Sequence, residues 1–283
     1  TVIRVLYDEN FLYVSGMMYY SDPSTIAATK MIQGASPRYE DKLRVYINPF
    51  NDGRNGYLFQ STPYGVRSES IFENVRGNNF DWTGIWYAGT QFTDYGWFAE
   101  IAIPFKTISF DPNSSDWGIS FARGIEKKTE DLAWTSYNRS TNPSNFGTAT
   151  GFSDIKQGMG LDLIPGLSIS ESRAYGLDPN EPDSSETNFE PTLDAFYKIT
   201  PNLTGALTFN SDFSATEVDN RQIQLTRFNL FFPEQRKFFL QEADIFEFGD
   251  LNRNGRPFFS RRIGIGRGGQ QLDIEAGGKL TGR

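Results

Sequence analysis

Asp81-Trp82-Thr83-Gly84-Ile85-Trp86-Tyr87 places three large aromatic rings close together, near the amides of Asn78 and Asn79. Aromatic faces stack on the apolar faces of sugar rings, while neighbouring amides and charges bind hydroxyls. Trp82, Trp86 and Tyr87 are therefore a candidate glycan platform, with Arg67, Glu100 and Arg123 as polar groups that could line the same cleft. The competing reading is packing, because large aromatics fill sandwich interiors and half-buried Arg and Glu side chains form ion pairs. A second cluster, Asn51-Asp52-Gly53-Arg54-Asn55 with Asp41 upstream, offers side-chain oxygens in a tight loop after a strand. Oxygen-rich loops suit a hard cation such as Ca2+, although Asn-Asp-Gly is equally a hairpin-turn sequence, and the spacing is not that of an EF-hand. Glu100, Asp94, Glu126 and Glu130 supply carboxylates of the kind that glycoside hydrolases pair across a scissile bond.

Other chemistries are closed by composition. The 283 residues contain neither His nor Cys, which removes a Ser-His-Asp triad, imidazole-ligated transition metals, thiolate zinc sites and disulfides. A net charge of -8 repels phosphate backbones, so nucleic acid is not an expected partner, whereas neutral glycans and hard cations suit an acidic surface. No run approaches the length of an apolar membrane helix, so any membrane role must come from strands.

The elements that must position these residues are strands. Aromatics make up 15% of the chain, with 25 Phe and 13 Tyr, and 27 Gly and 14 Pro punctuate it throughout, an all-β composition. Short strands separated by turn clusters are expected at 2–7, 11–19, 43–48, 57–61, 97–104, 117–124 and 132–137. That spacing indicates a jelly-roll-like β-sandwich over residues 1–155. In Leu43-Arg44-Val45-Tyr46-Ile47 alternate residues are apolar, which buries one face and turns Arg44 and Tyr46 outward; Trp97, Trp117 and Trp134 fall in strand patterns and read as core.

A change of style marks residues 156–283. Residues 172–188 are rich in Asp, Glu, Pro and Ser and read as an exposed loop. Beyond it Leu193, Ala195, Tyr197 and Ile199 alternate with Asp194, Phe196 and Lys198, and after the turn Thr200-Pro201-Asn202 a second alternating strand follows. Such a hairpin fits the wall of an antiparallel transmembrane β-barrel, with lipid on one side and a polar lumen on the other, and it also fits a soluble sandwich. Pro233-Glu234-Gln235-Arg236-Lys237 is held between two Phe pairs, so it reads either as a lumenal plug, with Arg261 and Arg262 facing Glu234 and Glu242, or as a polar turn.

Ordered phrases carry a resemblance. Residues 41–59, Gly96-Trp97-Phe98-Ala99-Glu100-Ile101-Ala102-Ile103-Pro104-Phe105 and Trp117-Gly118-Ile119-Ser120-Phe121-Ala122-Arg123 together resemble the carbohydrate-binding-module family nine-like domain. Ser211-Asp212-Phe213-Ser214, Phe232-Pro233-Glu234-Gln235-Arg236-Lys237-Phe238-Phe239-Leu240, Ser260-Arg261-Arg262-Ile263-Gly264 and Gly278-Lys279-Leu280-Thr281-Gly282 look like a bacterial outer-membrane family that carries this module ahead of a β-barrel domain of unknown function. The resemblance implies an exported protein of the Gram-negative outer membrane whose module binds a polysaccharide or glycoconjugate, whose barrel meets lipid, and whose sequence here stops part-way through that barrel. It also implies structural Ca2+, since modules similar to this one commonly hold it, which makes Asp41, Asn51, Asp52 and Asn55 candidate ligands. An assembly component with an envelope protein partner, or a carboxylate-dependent hydrolase, are the alternatives in other functional classes.

Overall fold

The computed structural model describes residues 1–34, 36–73, 77–80, 82–135, 142–156, 160–174, 184–200, 202–211, 234, 236–241, 243–246, 258–264, 266, 272 and 274–282. The chain divides into two compact units, Thr1–Gly160 with Thr200–Asn202, and Leu161–Ile199 with Leu203–Arg283. Both are built from antiparallel strands, and no helix among the described residues is long and apolar enough to cross a membrane.

In the first unit the strands are β1 (Val2–Tyr7), β2 (Phe11–Tyr19), β3 (Lys42–Asn48), β4 (Asn55–Ser61), β5 (Arg67–Glu73), β6 (Gly77–Asn79), β7 (Tyr87–Thr93), β8 (Gly96–Pro104), β9 (Trp117–Ile125), β10 (Glu130–Ala133) and β11 (Gly147–Ala149). One sheet has the order β1-β2-β8-β7; the other runs β10-β9-β3-β4-β5-β6, with β11 also on β9. Alternation decides what each strand buries. Val14 pairs with Ile101 and Leu12 with Ile103 in the first sheet, while Val45 lies between Phe59 and Phe121 in the second. These inward residues, with Trp97, Phe105 and Trp117, form one core cluster, and each fully buried large aliphatic or aromatic side chain contributes about 1.5–3 kcal/mol. Trp97 and Trp117 are core as their strand patterns suggest, but Trp134 is 61% exposed because β10 lies on the outer edge of β9.

The outer face of the larger sheet is not left to solvent. Tyr46 is buried at 5%, packed against Phe72 and Phe146, so the expectation that it faces water fails: Phe146 crosses that face. Arg44 beside it pairs with Asp131. β3 and β4 approach so closely at Gly56 that an added methyl would lie 2.2 Å from the Ile47 carbonyl oxygen and 2.6 Å from the Phe72 ring.

The second unit contains β12 (Leu161–Ala174), β13 (Ser184–Thr200), β14 (Leu203–Ser211), the short helix α1 (Lys237–Leu240) and β15 (Ile274–Gly282), in the sheet order β12-β13-β14-β15, which is open. β12 and β13 pair from Leu161↔Tyr197 out to Ala174↔Ser184. Strand pairing thus continues through much of the acidic stretch that reads as loop in the sequence, because backbone hydrogen bonds need no apolar side chains. Residues 175–183 lie outside the described residues. Replacing Gly56→Ala should cost the first unit on the order of 2–3 kcal/mol, since the obstructing atom is backbone that cannot move aside; a denaturant melt of the variant against the parent reads it directly.

Candidate functional site

One side of the sandwich is bounded by β7, the edge of the smaller sheet, and by the stretch of β5 that β6 does not cover, and residues 82–86 close it from within. Trp82 packs on Tyr57 and Phe59, and Trp86 meets Phe59 edge-on at 5.3 Å. At 4% and 2% exposure these indoles present no ring face to solvent, so the platform expected of Trp82 and Trp86 is not on the surface. The reason is local. Phe59 and Tyr57 sit on β4 near this open side, and two indoles cover them at less cost than leaving apolar surface wet. Thr107 fastens the same loop by donating to the Ile85 carbonyl at 2.6 Å.

The polar groups at this opening come from β5. Register pairs Ser61 with Arg67 and Phe59 with Glu69, so both charged side chains share the inward face of the sheet at its edge. Among the described residues β6 pairs only with Ile71, Phe72 and Glu73, leaving residues 67–70 on an unpaired margin. Arg67 donates to the Trp86 carbonyl and lies 5.7 Å over its ring, while the Trp86 indole N–H donates to Glu69 at 3.0 Å. Gln33 bridges the adjoining turn: its amide nitrogen donates to the Gly65 carbonyl at 3.0 Å, and its amide oxygen accepts from the Arg67 backbone N–H at 2.9 Å. Gly65 adopts φ +72, and a methyl there would press on the Thr90 hydroxyl of β7 at 3.2 Å. Over this turn stand two aromatics in edge-to-face contact at 5.4 Å, Tyr64 and Phe92, exposed by 46% and 44%.

The remaining expected ligand residues go elsewhere. Tyr87 is 55% exposed but points to the opposite face of the smaller sheet, beside Phe11, in the row Leu6, Tyr13, Ala102, Tyr87. Glu100 is exposed on that same outer face, in the row Arg4, Ser15, Glu100, Gly89. It cannot line a cleft with Arg67, since its neighbours Ala99 and Ile101 are the ones that turn inward. Glu126 follows β9 and Glu130 opens β10, both in the other sheet, so neither joins Glu100. Arg123 shares a row with Leu43, Ser61 and Arg67, which puts it three strand spacings from Arg67, roughly 14 Å. It is 7% exposed, donates to Thr1 at 2.9 Å and to the Tyr19 carbonyl at 3.0 Å, and lies 4.3 Å over the Tyr20 ring.

Asp41 completes that second, structural cluster. It is fully buried, accepts from the Tyr20 hydroxyl, from the Ala27 N–H at 3.2 Å and from the Glu126 N–H at 2.7 Å. The expected metal set is split by the fold. Asp41 precedes β3 while Asn51, Asp52 and Asn55 follow it, and a strand of that length separates them by about 20 Å. Within the loop the turn reading accounts for the geometry: Asn51 and Gly53 have φ of 50 and 69, and one Asp52 oxygen accepts from Asn48 at 3.1 Å, Arg54 N–H at 2.9 Å and Asn55 N–H at 3.3 Å.

In the second unit one sheet face is apolar and outward. Leu161, Leu163, Leu167 and Ile169 on β12, Phe189, Leu193, Tyr197 and Ile199 on β13, Leu207 and Phe209 on β14 and Leu280 on β15 are all exposed. The register sets Leu161 beside Tyr197 and Ile169 beside Phe189, so they form one surface. The opposite face carries Thr204, Thr208, Lys198 and Thr281, all buried, and Phe196 and Ala206, which pack under Phe238 of α1. Glu234 pairs with Arg236, and Glu242 lies outside the described residues.

Residues 160–279 match a family profile described as a domain of unknown function, DUF5916. The chain is similar to a carbohydrate binding module family 9 from Caldicellulosiruptor kristjanssonii in complex with glucose, at 18% identity and TM-score 0.39, covering 54% of this chain and 77% of that one. The same module in complex with cellotriose gives 18% identity and TM-score 0.37, covering 54% and 75%. No curated protein matches.

Burial first, then the Asp41 carboxylate, raise the Tyr20 phenol above its ordinary value against the opposing pull of Arg123. A raised folded value means a contribution that is complete below about pH 10 and drains away as pH climbs through it. Tyr20→Phe should therefore cost about 1 kcal/mol near neutrality, from the lost hydrogen bond to Asp41, and its stability should fall less steeply than the parent's above pH 10 in denaturant melts taken along a pH series.

Proposed function

We propose that the first unit binds a polysaccharide or glycoconjugate at the opening between β5 and β7, and that the second unit is a lipid-facing wall of an outer-membrane β-barrel. The binding reading rests on one juxtaposition: the solvent-exposed rings of Tyr64 and Phe92 beside the Arg67–Glu69–Gln33 cluster. Sugars offer both an apolar face and a rim of hydroxyls, and this opening offers rings for the first and donors and acceptors for the second. Buried Trp86 supports from below by fixing both Arg67 and Glu69. Tyr64→Ala combined with Phe92→Ala should lower retention on the recognised polysaccharide at least tenfold in affinity electrophoresis, with the melting temperature of the unit preserved; unchanged retention on a binding glycan rules out this opening.

The membrane reading rests on the outward apolar face. In water such a surface is costly and draws partners, whereas hydrocarbon is its natural solvent and the polar face then belongs to the lumen. On β13 the apolar residues run from Phe189 to Ile199, a stretch of the length that a tilted barrel strand uses to cross a bilayer. Leu167→Arg, at a mid-band position of β12, should reduce heat-modifiable, membrane-extracted protein severalfold, since a cation facing lipid costs about 2–4 kcal/mol. Equal amounts of folded protein in the membrane fraction would refute the lipid contact. The outer face of the smaller sheet, with Leu6 71% exposed beside Tyr13 and in one row with Tyr87, favours a second reading in which the sandwich docks an envelope protein; co-purification that Leu6→Lys abolishes, without loss of glycan retention, separates the two.

A further inference from the structure

We propose that the outer face of the smaller sheet binds an extended polysaccharide chain along β2 and β8, a second contact that rests on the glycan-binding reading above. It lies on the opposite face of that sheet from Phe92, which pairs with the inward Trp97. Two groups of rings stand on it. At one end Phe11 and Tyr13 of β2 stack at 5.8 Å, and Tyr87 of β7 lies 6.4 Å from Phe11. At the other Tyr19 stacks on Tyr95 at 5.7 Å, both half exposed. Tyr13 and Tyr19 lie six residues apart on one strand, so the two groups are separated by roughly 20 Å, the span of several linked sugar rings. Each is held before any ligand arrives. The Tyr13 hydroxyl donates to Asp8 at 2.9 Å, and that carboxylate accepts from the Asn10 and Phe11 N–H groups at 2.7 and 2.8 Å. The Tyr20 N–H donates to the Tyr95 carbonyl at 2.9 Å, tying the turn between β7 and β8 to the end of β2. Rings already fixed lose little freedom on binding.

Midway between the rings the surface is polar. The central row is Arg4, Ser15, Glu100 and Gly89, in which the exposed Arg4 and Glu100 offer a donor and an acceptor to hydroxyls. An added methyl at Gly89 would meet nothing within 4 Å, so the surface is open between Tyr87 and Gln91, which flank it on the same face. Glu100 pairs with Gly89 and is therefore the diagonal neighbour of Tyr87, close enough to reach the rim of a sugar stacked on that ring. In the next row Met17 is buried and Gln91 is exposed. A protein interface gathers apolar residues at its centre and charge at its rim. Here the charges are central and the rings terminal, an order that suits a chain of sugars, which presents ring faces and hydroxyls along its whole length.

Glucan, xylan and mannan, each as disaccharide and hexasaccharide, are the probes, titrated into the full chain in detergent micelles. The parent should bind at least one hexasaccharide about tenfold tighter than its disaccharide, because only the longer chain reaches both groups of rings. Tyr19→Ala with Tyr87→Ala should bring the two affinities together and leave the melting temperature unchanged. Gly89→Leu keeps every ring and should do the same by obstructing the open floor. A length preference that survives both variants, or a parent without one, overturns the chain site, while disaccharide binding that Tyr64→Ala with Phe92→Ala removes still upholds the opening between β5 and β7. Failure of every probe to bind overturns the glycan reading and this site together. An envelope protein that co-purifies through Tyr19 and Tyr87, with no length preference among the sugars, assigns the face to a protein instead.

Discussion

Side chains on a strand leave its two faces alternately, and nearly everything in this protein follows from which face is allowed to be apolar. In the first unit the apolar sets of both sheets turn toward each other, from Leu12 and Val14 on one side to Val45 and Phe59 on the other. In the second the same periodicity carries the opposite sign: Leu163, Leu193 and Leu207 face out, and Thr204 and Thr208 are the buried ones. A one-residue slip in any of these strands would exchange the two faces, so register is enforced by burial in both units.

The strands with strong alternation were legible in the sequence, and β1, β2, β3, β8 and β9 stand close to their expected bounds. β5 and β7 were not. Arg67-Ser68-Glu69-Ser70 alternates charge with hydroxyl, and Tyr87-Ala88-Gly89-Thr90 has little apolar weight, because β7 is a sheet edge and β6 covers only the far end of β5, so one flank of each needs no core residue. The candidate site suffered for the same reason. Trp82 and Trp86 drew notice as the largest rings, yet size is what suits them to filling the open edge; Tyr64 and Phe92, smaller and placed at a turn and an edge strand, carry the exposure. Tyr64 had a readable signal, an aromatic between Pro63 and Gly65 at a turn tip where no core awaits it. Glu100 was a matter of phase, since one step along β8 separates the cleft side from the outer face.

Buried polar groups do different work in the two units. Around Asp41 they staple irregular backbone to the sandwich: the Ala27 and Glu126 amides, the Tyr20 hydroxyl and, through that ring, Arg123 converge from separate parts of the chain. Around Glu234 the described partners Arg236 and Ser260 belong to the connection between β14 and β15, and Lys279 and an aromatic cluster join its described residues to the sheet. The first arrangement resists any relative shift of its elements, because each displaced group would be stranded without water.

The rings that flank the opening of the sandwich belong to different sheets: Tyr64 follows β4 of the larger one and Phe92 lies on β7 of the smaller. Their separation is therefore gauged by the thickness of the packing between, where Phe59 meets both indoles. Tyr64 and Phe92 touch edge to face across the two sheets, so a change in the volume of the buried rings beneath shifts how the exposed pair meets, and this margin of the surface is set from the interior of the unit.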